Sequence, residues 1–128
     1  MSGLSKVESY LMELDLSYQE ASANTFFIDD DTRGLPGIAI TIDEPVVFIR
    51  AKVMVLPKIV NKELLETLLK LNATDIMHGA YGIDGNDIVL VDTLEYDNMD
   101  KNEFEAALDS IGMALSKHYA VLGKYRDK

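Results

Sequence analysis

Between Val60 and Leu122 the apolar positions change period twice, from helical to strand-like and back to helical. Leu64, Leu65, Leu68, Leu69 and Leu71 recur at helical spacing with Lys62, Glu66 and Lys70 opposite them, which predicts an amphipathic helix. Asn61 is placed to accept from the free N–H groups of its first turn, Val60 and Leu65 have the spacing of a hydrophobic staple, and Asn72 is the expected end. Ile76 to Ile83 and Ile88 to Leu94 then read as a hairpin around Asp84-Gly85-Asn86-Asp87, whose Asp-Gly pair supplies the positive φ of a tight reversal. The run Ile88-Val89-Leu90-Val91 predicts an interior strand covered on both faces. Gly79 and Gly82 point to a bulge or the close approach of a helix.

The last helix has the clearest start. Asp100 and Glu103 form a capping-box pattern and Met99 and Phe104 are spaced to staple across it. Phe104, Leu108, Ile111, Leu115, His118 or Tyr119, and Leu122 follow at three- and four-residue steps, so the helix should lie along a sheet. Gly123 fits the residue after the helix, with Lys117, Lys124 and Arg126 near the negative end of its dipole.

Upstream, Ser5 and Glu8 open a short helix with Val7, Tyr10, Leu11 and Leu14 on one face, ending near Asp15. Tyr18 to Ala23 is weakly patterned and reads as an irregular or edge strand leading into Thr25-Phe26-Phe27-Ile28. Asp29 to Gly34 is a polar turn, and Leu35-Pro36 begins a strand at a position where a missing N–H is tolerated. Gly37 to Ile42, a turn at Asp43-Glu44-Pro45, and the long run Val46 to Leu56 follow, the last with Arg50 and Lys52 on one face and Val47, Ile49, Ala51 and Val53 on the other. Pro57 stops that strand. The expected order is α-β-β-β-α-β-β-α, an α+β domain with an antiparallel sheet and helices packed on it.

The chain has 128 residues, enough for one domain spanning 1–128 with one core. A hydrophobic content of 48% with a formal charge of −10 describes a folded acidic protein. Such a field repels nucleic-acid phosphates and anionic membranes, so neither is expected as a partner, and it favours basic or amphipathic polypeptides. The absence of cysteine excludes thiol catalysis and zinc–thiolate sites and fits a reducing compartment. With no signal-peptide pattern and no apolar run of membrane-spanning length, the expected location is cytoplasmic.

Few residues offer chemistry. Asp29, Asp30 and Asp31 lack the further ligands and spacing of a metal loop, and turn chemistry accounts for them and for Asp84 to Asp87. The glycines at 79, 82 and 85 do not make a phosphate-binding loop. His78 reads as a strand-start residue and His118 as a packing residue beside the apolar stripe. A small enzyme or ligand-binding protein using His118 is the competing reading, and it requires a concave pocket around that ring. No catalytic residue, cofactor or metal is expected. Phe26, Phe27, Val46, Phe48 and Ile49 are candidates for protein binding, because a sheet covered by helices on one face leaves the other to account for.

The segments Leu64 to Asn72, His78 to Asp84 and Ile88 to Leu94 form a leucine-rich helix ending in Asn, a Gly-containing strand, and an apolar strand leading to a final helix. In this order they resemble the class I type III secretion (Tir) chaperone-like group, and more closely its relative, the YbjN domain family. The resemblance implies a non-enzymatic, protein-binding domain, chaperone-like or regulatory, that forms a homodimer or holds a client. The narrower alternative is a dedicated secretion chaperone that keeps one client's segment unfolded.

Overall fold

A computed structural model describes residues 5–30 and 35–127. The element order is α1 (Lys6–Glu13), β1 (Tyr18–Ser22), β2 (Thr25–Asp30), β3 (Leu35–Asp43), β4 (Val46–Val55), α2 (Lys62–Thr74), β5 (Ala80–Asp84), β6 (Asp87–Glu95) and α3 (Lys101–Gly123). The six strands form one antiparallel sheet in the order β1-β2-β3-β4-β6-β5. The expected α+β architecture is therefore present, with one strand more than the reading of Tyr18–Ile28 as a single segment. That segment folds back at Ala23-Asn24, so that Ser22 pairs with Thr25 and Tyr18 with Ile28. The outer half is the edge strand, with a register shift between Glu20 and Ser22. The turn expected over Asp29–Gly34 falls partly outside the described residues.

Local chemistry sets the helix boundaries. Ser5, Asn61 and Asp100 each accept a backbone N–H from the third residue onward, and at Asp100 the box is closed by Glu103, which accepts from the Asp100 N–H at 3.3 Å. Met99 and Phe104, on either side of that box, are both buried. Helix α1 ends in a Schellman pattern: Asp15 is in the left-handed region at φ 56, Leu16 donates to the Leu11 carbonyl and Asp15 to that of Met12, both at 3.1 Å. Helix α3 runs one residue past expectation, because Gly123 keeps a helical backbone and Lys124 is the cap. Helix α2 runs past Asn72 to Thr74, and its buried face is narrower than five leucines suggest: Leu64 and Leu68 are buried, whereas Leu65 and Leu69 remain exposed.

One core follows from this layout. Phe26 and Ile28 of β2, Ile38 and Ile40 of β3, Val47, Ile49 and Ala51 of β4, and Ile88 and Leu90 of β6 are buried in one cluster with Val7 and Leu11 of α1 and Phe104, Leu108 and Ile111 of α3. Tyr10 of α1 stacks obliquely on Phe104 of α3 with ring centroids 5.7 Å apart, so both helices share one side of the sheet. On β4 a bulge between Lys52 and Met54 changes the alternation, and Met54 rather than Val53 takes the fully buried position. On β6 only Ile88, Val89 and Leu90 are buried, while Val91 is exposed, so the strand is covered on both faces for part of its length only.

Gly79 explains the tight start of the β5–β6 hairpin. It sits at φ +90, and a Cβ there would collide with the Val91 carbonyl of β6, so the close approach is by a strand rather than a helix. Gly82 has open space around it. Gly79→Ala should therefore lower stability by at least about 2 kcal/mol, whereas Gly82→Ala should change it by no more than about 0.5 kcal/mol. Urea denaturation of the two variants beside the parent chain measures both.

Candidate functional site: the uncovered face of the sheet

Residues directly opposite one another on neighbouring strands share a face, so the register fixes the composition of the side away from the helices. One row runs Gln19, Phe27, Ala39, Arg50, Val91, Ala80 across all six strands. The next row runs Thr25, Thr41, Phe48, Thr93, with the Thr25 and Thr41 hydroxyls 3.4 Å apart. A third pairs Asp43, Val46 and Glu95. Phe27 and Phe48 stand on either side of β3, two strand spacings (about 10 Å) apart across the sheet and one row apart along it, over a floor of Ala39 and Thr41.

The result is an open trough of about 660 Å³ lined by Phe27, Ala39, Thr41, Phe48, Val91 and Thr93, among others. Phe27 is 48% and Phe48 44% exposed, high values for aromatic rings flanking a concave surface. The trough is wide enough for one extended or helical segment. At one end Asp43 and Glu95 make the rim acidic; at the other Arg50 is paired with Asp84, and Lys52 with Asp87 at 3.6 Å. These exposed pairs add little stability, but they leave the basic groups of β4 occupied.

The five candidates thus separate by strand parity. Phe27 and Phe48 lie on the uncovered face, and Val46 is half-buried on the same face at its acidic end. Phe26 and Ile49 face the helices and are sealed in the core, which corrects their reading as contact residues. Val91, Ala39 and Thr41 belong to the face but had no signal of their own, because their position depends on pairing with strands distant in sequence.

His118 has a different setting. It is 2% exposed, with Nδ1 2.7 Å from the Tyr81 hydroxyl and Nε2 3.1 Å from Asp75 Oδ2. Burial, with the Asp75 charge adding to it, pushes the Tyr81 hydroxyl up to about 12, so it stays protonated and shares a hydrogen bond with Nδ1. Nε2–H donates to the Asp75 carboxylate, so both ring nitrogens have partners within the protein. A cleft of about 450 Å³ lined by Met77, His78, Met113 and Lys117 adjoins this ring. The concavity that a ligand-binding reading requires is present, but both imidazole nitrogens are engaged within the protein. Among the described residues no group of three or more His, Asp or Glu side chains is arranged to hold a metal ion, and no helix is long and apolar enough to cross a membrane.

Residues 1–128 match the CesT_Tir_1 family, a family of type III secretion chaperones. No curated protein matches the sequence significantly. Among solved structures, a chain of the heterodimeric ExoU–SpcU complex from the type III secretion system of Pseudomonas aeruginosa superimposes with a TM-score of 0.70 at 13% identity, over 87% of this chain and 93% of that one. YbjN from E. coli gives 0.67 at 17% identity, over 93% of both chains. The Yersinia pestis structure of the type III secretion chaperone SycH with a stable fragment of YscM2 gives 0.62 at 16% identity, over 86% and 93%. At these identities the likeness is one of fold.

The hydrogen bond from His118, followed by those from Lys117 and Thr74, holds the Asp75 carboxyl below its usual value of 3.8. Because the folded-state value is depressed, its contribution to stability is present above 3.8 and is lost as pH falls through the lower folded value. The stability difference between the parent and Asp75→Asn should shrink as pH falls below 3.8, measured by urea midpoints between pH 5 and pH 2.

Proposed function

Because the chain belongs to the CesT_Tir_1 family, we propose that it is a non-enzymatic, chaperone-like domain that binds a segment of another protein in the trough on its uncovered sheet face. The observation that supports this most is the pair of half-exposed rings, Phe27 and Phe48, flanking a floor of small side chains. Covering the exposed part of each ring would contribute about 2 kcal/mol. A partner suited to the site brings apolar side chains to the trough and basic groups to the Asp43 and Glu95 rim, in keeping with a formal charge of −10. A chain without cysteine suits the reducing cytoplasm, the location this reading assigns to it. Phe27, Phe48 and Val46 are the contacts retained from the sequence, with Val91 added.

The similar structures include chaperones in complex with protein partners: SycH with a stable fragment of YscM2, and the HopA1–SchA chaperone–effector complex. They support protein binding for this chain. A dedicated secretion chaperone and a regulatory domain of YbjN type are two forms of that reading, and they differ in the partner rather than in the face. A homodimer is a second reading, favoured by α2, which leaves Leu69 exposed on its outward side together with Leu65.

Capture of the tagged chain from its native cells, with mass spectrometry of the bound proteins, supplies the partner for the test. Phe27→Asp combined with Phe48→Asp should keep thermal stability within about 1 kcal/mol of the parent and weaken binding of the captured partner at least a hundredfold. Unchanged affinity in a folded double variant would refute the assignment of the trough.

A further inference from the structure

In a chain without cysteine, the soft metal donors are thioethers and imidazoles. Two of the six methionines and one of the two histidines, with both nitrogens free, line the cleft of about 450 Å³ beside α3. Met77 and His78 belong to the segment between α2 and β5, and Met113 lines the cleft from α3. Met77 is 86% and Met113 71% exposed, so neither serves to fill the core. This cleft shares no lining residue with the trough.

Its walls are held in place. Asp75, two residues before Met77, accepts from His118 of α3 at 3.1 Å and pairs with Lys117 at 3.3 Å. Gly79, directly after His78, lies so close to the Val91 carbonyl of β6 that a Cβ would collide with it. Met77-His78 is therefore the span between two fixed points, and the bond from His118 sets that span against the helix that carries Met113. The two imidazoles divide accordingly. Both nitrogens of His118 are engaged within the protein, whereas no hydrogen bond or ion pair among the described residues uses His78.

The donor set decides the ion. Thioether sulfur is soft and uncharged and selects monovalent copper, which imidazole nitrogen also suits. Calcium and magnesium require several oxygen donors, and among the described residues the cleft assembles no such group. Methionine has three rotatable side-chain bonds, so both sulfurs can turn to one point beside the His78 ring. Asp109, one turn before Met113, adds a negative charge to the wall, and the Lys117 ammonium is already paired with Asp75. We propose that Met77, His78 and Met113 bind a cuprous ion, with one donor atom each. The ion binds and leaves as copper(I), with no redox step, and clips the segment before β5 to α3.

Anaerobic titration of the purified chain with cuprous ion, in competition with a chromogenic copper(I) chelator, tests this, with circular dichroism confirming the fold of each variant. The chain should withdraw one equivalent from the chelator. Met77→Leu, Met113→Leu and His78→Ala should each weaken binding at least about tenfold. Met12→Leu, at a methionine 56% exposed on α1, should leave it unchanged. Silver ion, a redox-inert stand-in of similar softness, should shift the methyl carbon resonances of Met77 and Met113 at one equivalent, and not that of Met12. A chelator that keeps all its copper, site variants that bind as the parent does, an equal loss in Met12→Leu, or silver shifts spread equally over all three methionines would overturn the assignment.

Discussion

Among the described residues, α1 and α3 pack on one face of the sheet and leave the middle of the other face open, and most of the structure depends on that constraint. Side chains alternate along each strand, so placing α1 and α3 on one side buries Phe26, Ile38, Ile40, Val47 and Ile49 and leaves their sequence neighbours outward. Those neighbours include Phe27, Ala39, Thr41 and Phe48. The trough is therefore a consequence of the core: the same register that closes one face composes the other. A partner segment across it would supply the second layer that the helices do not.

The boundaries of the elements were legible because the chemistry that sets them is local. Asn61 and Asp100 lie three residues from the N–H groups they cap, and Gly85 marks its turn directly. The reversal at Ala23-Asn24 was not legible, since neither glycine nor proline marks it. The shift from Val53 to Met54 on β4 was equally hidden, because a bulge is defined by the partner strand. Leu65 and Leu69 widened the apparent apolar face of α2, although the domain offers that helix little to pack against.

The candidate site was half legible for the same reason. Phe26 and Phe27 are adjacent and alike, and only pairing with Ile40 and Ala39 decides which of them enters the core. His118 read correctly as a packing residue, but its partners Asp75 and Tyr81 lie 43 and 37 residues away, and no spacing rule joins them. The amide of Asn72 is a similar case: it resembled the end of a helix and proved to be a bond between that helix and the outermost strand.

The most direct test of the account is site-specific photo-crosslinking in the native cell. A photoreactive phenylalanine analogue placed at Thr41, in the floor of the trough, is compared with the same analogue at Asp109, exposed on α3 on the opposite side of the sheet. The account predicts a discrete adduct with another protein from Thr41 and none of that mass from Asp109. An adduct with the same protein formed only from Asp109, or no adduct from Thr41 in a folded chain, would contradict the claim that the uncovered face is where this domain holds its partner.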